Sequence, residues 1–166
     1  LKAPSSNHQR RWELLTLTDH SIIMELAKLI RPYPCRIQEP KTPQQEMFQI
    51  AYPRQRSMIE ESACVILPYF KQKYPLSEEK TGYGLMDYGA TWALIENMLL
   101  AATAEGVGSV VHIPVKKEPE QIKAFLKVPD GWGLPALVVL GYAVKDPLLP
   151  AQVKATVANK VRWKQW

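Results

Sequence analysis

Residues 86–115 read MDYGATWALIENMLLAATAEGVGSVVHIPV, a run of helix formers that stops at two glycines and restarts as a β-prone segment. Between 87 and 105 polar side chains other than Glu96 and Asn97 are scarce, and Gly106 and Gly108 supply the stop. At helical spacing Tyr88, Trp92, Ile95, Leu99 and Ala102 share one face, while Ala93, Met98, Leu100 and Ala101 populate others. A helix that is apolar nearly all round has to be covered on most sides. One sheet face covers less than that, so the sequence predicts a second subunit against it. Residues 109–113 then read as a strand.

The pattern extends outward in both directions. Residues 12–18 (WELLTLT) are β-prone and end at Asp19, an N-cap for a helix over 21–30 whose apolar face holds Ile22, Ile23, Leu26, Ala27, Leu29 and Ile30. Pro32 and Pro34 stop it. Residues 31–57 hold five prolines and read as a surface excursion, with 47–52 open between helix and extended chain. Residues 62–67 (SACVIL) suit a strand buried on both faces and ended by Pro68. Downstream, Pro119 opens a helix with Ile122, Phe125 and Leu126 inward, and 136–142 (ALVVLGY) form a further strand. The tail from 145 to 166 carries Val161, Trp163 and Trp166 and is expected to dock on something. Strands and helices thus alternate around a small sheet of about four strands, an α/β or α+β class in one domain over 1–166.

The 166 residues are 46% apolar and 22% charged, a globular composition with no run of eighteen apolar residues to span a membrane. No leader is visible in residues 1–9, which favours a cytoplasmic location, as do Cys35 and Cys64 read as reduced thiols. The net charge of +5 is spread along the chain, without the dense stripe or stacking motif of a nucleic-acid binder. A nucleic-acid surface, a membrane surface and an anionic small ligand are each compatible with such a charge, and charge alone does not choose among them.

Direct catalytic constellations are scarce. His8, His20 and His112 stand in no metal motif and beside no evident nucleophile, and the glycines at 106–108 follow a helix instead of preceding one, the reverse of a dinucleotide turn. Whatever the chemistry, a cofactor is the expected carrier.

Residues 3–12, APSSNHQRRW, are similar to a motif of the nitroreductase family that runs Ala-Pro-Ser, two variable positions, Asn, one variable position, Gln-Pro-Trp. Aligned without gaps, Ala3, Pro4, Ser5 and Trp12 match, while His8, Arg10 and Arg11 take the Asn, Gln and Pro places. Three more stretches follow in the family's order: residues 86–115 resemble its long interface helix with a Gly-Leu-Gly turn and strand, 122–142 its helix, turn and strand ending in Gly-Tyr, and VRWKQW its closing VHWERW.

The resemblance implies a mixed central sheet flanked by helices, an α+β fold in α/β-type layers, and an intertwined homodimer with an FMN at each end of the interface. It implies that NAD(P)H reduces the flavin and that a nitroaromatic, quinone or similar small acceptor reoxidises it. Carried over by position, Pro4, Ser5, Ser6 and His8 approach the flavin with Arg10 close by. Arg54 and Arg56 fall where relatives address the ring's pyrimidine edge, or are solvated loop arginines. Residues 111–114 match the loop that meets the redox-active nitrogen; Ile113 carries an N–H to donate, Pro114 carries none, and His112 is either a pocket wall or strand packing. Lys154 falls where relatives hold the phosphate, or is a surface lysine.

The family's first helix, with its Arg-Arg-Ser-x-Arg phosphate clamp, has no counterpart in residues 1–166, which begin just upstream of the second motif. Two other classes stay open: a flavin-modifying or special-substrate dehydrogenase of the same fold, and a non-enzymatic binding protein that has lost FMN.

Overall fold

The computed structural model describes residues 1–72, 76–78, 81–146 and 154–164. In chain order its elements are β1 (Trp12–Leu17), α1 (His20–Lys28), α2 (Pro43–Ala51), α3 (Ser57–Glu60), β2 (Cys64–Lys71), α4 (Met86–Ala104), β3 (Gly108–His112), α5 (Glu118–Phe125), β4 (Trp132–Gly133), β5 (Leu137–Gly141) and α6 (Val157–Lys160). Local signals set several of these ends. The Asp19 carboxylate accepts from the Ser21 N–H at 2.8 Å and starts α1. Thr42 and Pro43 cap and open α2, which settles as helix the segment left open by the sequence. At the end of α4, Gly106 at φ 70° lets its own N–H bond Thr103 O and the Val107 N–H bond Ala102 O, the paired closure that only a left-handed residue permits.

The strands order as β1-β2-β5-β3, with β4 pairing β2, so β1 and β3 are the outer strands of the main path. The sheet has five strands rather than about four, because Trp132 and Gly133 add a short pair beside Lys71 and Phe70. Every pairing among the described residues is antiparallel, where the resemblance implies a mixed sheet. The layered α+β class stands.

β2 passes through Pro68 instead of ending there. The β5 pairing stops at Ile66 and β4 resumes at Phe70, so on that side position 68 has no ladder partner to miss a donor. This three-residue gap is what lets the strand carry Tyr69, Phe70 and Lys71 onward.

Helices cover both faces. On one, Leu17, Val65, Leu67, Leu137 and Val139 pack with Ile23, Leu26, Ile59 and Ile122 from α1, α3 and α5. On the other, Ile95 of α4 meets Ala136 and Val138, and Ala90 and Leu94 meet Trp12 and Ala3. Ile23, Leu26, Ile59, Leu67, Ile122 and Leu137 are wholly inaccessible, each contributing about 1.5–3 kcal/mol of burial. The far side of α4 is left uncovered: Leu100 is 60% exposed and Met86 43%. The described part of the tail is likewise exposed, Trp163 at 78%, where docking was expected; Trp166 lies outside the described residues. Among the described residues no helix is long and apolar enough to cross a membrane.

Candidate functional site

Residues 3–12 form a hook whose two ends are buried together. Ala3 and Trp12 pack on Ala90 and Leu94, so the polar residues between them are thrown outward. A 3₁₀ turn over Ser6–His8 closes with His8 N–H to Ser5 O and Gln9 N–H to Ser6 O, and the Ser5 hydroxyl accepts from Arg10 N–H at 3.1 Å. Asn7, His8 and Arg10 all sit at φ between 48° and 55°. Such backbone costs about 1–3 kcal/mol per residue and collects where a chain is shaped for a ligand.

The hook forms one wall of a crevice of about 280 Å3 at the far end of β2. Ser6, Asn7, Gln9 and Arg11 face Phe70, Lys71 and Gln72, with Tyr83, Met86 and Asp87 closing the third side. Two cations stand in it: Arg11, whose guanidinium is 3.8 Å from the Asp87 carboxylate, and Lys71, whose ammonium lies 5.0 Å from the centre of the Trp132 ring. Both are held by ring or rim contacts of modest strength, so each remains able to meet an anion. A side chain at Gly133 would overlap the Phe70 ring and the Gln72 amide, both of which line the crevice.

Of the hook residues singled out in the sequence, Ser6 lines the crevice, while Pro4, His8 and Arg10 are exposed outside it and Ser5 braces the bend. The wall is made instead by Asn7 and Gln9. These are the residue types of the family motif, each one place earlier than the motif puts it, and a gapless alignment conceals the shift. Lys71, Gln72 and Asp87 carry no local signal in sequence; the end of β2, held to the hook by Lys71 N–H to Arg11 O, brings the first two there, and the start of α4 brings Asp87.

Of the other predicted residues, all but Lys154 belong to the opposite edge, around the end of β3. His112 is fully buried, and its side chain packs in the core of this subunit. Its Nδ1 meets Gln55 Oε1 at 2.8 Å and its Nε2 stands 3.5 Å from Glu118 Oε2. Glu118, also buried, accepts from Tyr33 Oη, Arg31 N–H and Val115 N–H at 2.8–3.0 Å. Burial, then the bond to Glu118, pushes the Tyr33 phenol up to about 12. Burial is also the main cause that holds the His112 imidazole below its ordinary range, against the pull of the Glu118 carboxylate.

Ile113, 55% exposed, emerges directly from this cluster, and Pro114 behind it is buried. Arg54 and Arg56 flank Gln55 but turn to carboxylates of their own, Arg54 to Glu61 at 3.0 Å and Arg56 to Glu60 at 2.7 Å. Exposed pairs of this kind are worth about 0–1 kcal/mol and yield to a stronger anion. Lys154 is exposed in the stretch before α6 and touches neither cluster among the described residues.

The geometry therefore holds two partial sites. A polar hook with a cationic crevice lies at β1, and an Ile113 edge with arginines beside it lies at β3. β2 and β5 stand between those strands, a separation of about 14 Å at the usual strand spacing.

Residues 1–142 match the family model described as the Nitroreductase family. The chain belongs to the nitroreductase family. Solved structures agree on the nitroreductase fold. Iodotyrosine deiodinase bound to FMN and 3-iodo-L-tyrosine superposes at TM-score 0.73 with 17% identity, over 99% of this chain and 82% of that one. An FMN-dependent nitroreductase from Clostridium difficile gives 0.66 with 17% identity, over 99% and 82%. A nitroreductase family protein from Clostridium novyi NT gives 0.62 with 21% identity, over 85% and 67%. Comparison with the curated proteins finds no match.

Proposed function

We propose that this nitroreductase-family chain is one subunit of an FMN-dependent oxidoreductase that works as a homodimer, each flavin held between the hook of one copy and the β3 edge of the other. One observation carries the reading: the residues suited to a flavin fall into two incomplete groups on opposite edges of one sheet. A second copy completes each group, and the uncovered apolar side of α4 provides the surface on which it would pack.

The residues present fit the group. Its planar ring needs flat apolar cover, its pyrimidine edge needs amide and hydroxyl partners, and its phosphate needs a cation; the crevice offers Phe70 and Tyr83, Ser6, Asn7 and Gln9, and Arg11 and Lys71. When bound, FMN would take a hydride from NAD(P)H and pass two electrons to a nitroaromatic, a quinone or a similar small acceptor. The role of the chain is then to bind and orient. Ser6, Asn7 and Gln9 would fix the ring's polar edge, Ile113 N–H would donate toward its centre, and Arg11 and Lys71 would stabilise negative charge. No side chain need relay a proton, in keeping with the one buried histidine being locked into core contacts.

Titration of the full chain with FMN, read by absorbance and by NADH or NADPH consumption with a nitroaromatic or quinone acceptor, tests this. One flavin per chain and acceptor-dependent consumption are expected. Protein that stays colourless and oxidises neither nucleotide overturns it.

A further inference from the structure

The excursion between α1 and α3 builds a second cavity, of about 400 Å3, walled by Arg31, Pro34, Arg36, Ile37, Phe48 and Tyr52. Its aromatic side is preassembled. Phe48 and Tyr52 stack with centroids 4.2 Å apart at 21°, and Tyr52 meets the edge of Tyr33 at 5.1 Å. No carboxylate lines it among the described residues, and the buried Glu118 stands behind Arg31 and leaves Arg36 as the unpaired cation. The Arg31 guanidinium lies 4.2 Å from the centre of the Tyr33 ring, and its buried Nε, 4.0 Å from the Glu118 carboxylate, makes no hydrogen bond. Arg36 makes no ion pair with any described residue.

Arginine beside flat rings is a combination suited to one class of ligand. The ring faces accept a planar hydrocarbon body, and a guanidinium with free donors accepts a carboxylate through two parallel bonds. A neutral aromatic uses only the first, and a small inorganic anion only the second. We propose that this cavity is a binding site for an aromatic carboxylic acid, with the ring against Phe48 and Tyr52 and the carboxylate on Arg36 and Arg31. Its volume falls within the range of small-molecule pockets. The site is distinct from the crevice at the hook, and the inference stands whether or not the chain binds flavin.

Isothermal titration of the full chain with naphthalene-2-carboxylate and, separately, with naphthalene-2-methanol compares ligands of one shape and different charge. Saturable one-to-one binding of the acid is expected, with the alcohol weaker by about tenfold or more. Arg36→Gln, at an exposed residue without an ion pair, keeps the melting midpoint, weakens the acid by about tenfold and leaves the alcohol unchanged. Phe48→Ala weakens both, and Ser5→Ala at the hook weakens neither. Equal affinity for acid and alcohol, no saturable binding, an Arg36→Gln variant that binds the acid as well as the parent, or loss of binding in Ser5→Ala overturns the proposal.

Discussion

Gln55 fixes the tautomer of His112. The Gln55 amide nitrogen donates to Ala51 O at 3.1 Å, so its oxygen is the atom that faces the ring, and His112 Nδ1 must donate to it at 2.8 Å. A neutral ring then turns its bare Nε2 toward Glu118 Oε2 at 3.5 Å, without a hydrogen bond. The contact sits in the core directly behind Ile113, so its state of charge bears on the placement of that edge.

Stability therefore depends on acidification with a defined sign. His112 is held below the ordinary value of 6.5, chiefly by burial, so the unfolded chain takes up the proton more readily than the folded one. This contribution is complete above about pH 6.5 and is lost as pH falls below it, with a slope of at most about 1.4 kcal/mol per pH unit. Urea unfolding from pH 7.5 to 5 reads it, and His112→Gln should flatten the fall. Parallel slopes in parent and variant would remove the assignment.

Glu118→Ala leaves Tyr33 Oη and the N–H groups of Arg31 and Val115 without their acceptor in a closed core. A loss of about 3–5 kcal/mol is expected from chemical denaturation. A loss under about 1 kcal/mol would mean that the cluster contributes little to folding.

Tyr69 presents the opposite case. It is 3% exposed, and its hydroxyl is buried without a hydrogen-bond partner, so burial raises its pKa. Tyr69→Phe removes an unpaired polar group and keeps the ring, and should stabilise the fold by about 1 kcal/mol. Clear destabilisation would show that the hydroxyl has a partner in solution.

Ser5→Ala deletes the side-chain acceptor that braces the hook at Arg10. The residue is half-buried at the surface, so global stability should change by less than about 1 kcal/mol. FMN affinity, read by fluorescence quenching, should fall by about tenfold as the strained residues 7–10 relax. Unchanged affinity would separate the hook's shape from flavin binding.

Much of this fold is legible in sequence because its signals are local. The Asp19 cap, the stop at Gly106 and the apolar residues of α4 each act within a few positions. Continuation of β2 through Pro68 is not local, since it depends on where β5 and β4 happen to pair. The site divides in the same way. Ser6 can be found from a motif, whereas Lys71 and Asp87 reach the crevice through strand register and helix packing, and Gln55 and Glu118 meet His112 from 57 residues upstream and from the start of α5. Asn7 and Gln9 are an intermediate case: the right residue types are visible, but displaced by one position.

Mixing two inactive variants measures the central claim most directly. Ser6→Trp fills the crevice at the hook, and Ile113→Glu sets a negative charge at the β3 edge; both positions are accessible enough for the fold to tolerate the change. Each variant alone should bind no FMN. Reassociated in equal amounts, they should regain about a quarter of the parent's FMN sites, because half of the dimers are mixed and each of those holds one intact pair of surfaces. A mixture that stays as empty as its components, or a single variant that binds FMN normally, would contradict a flavin site shared between two copies.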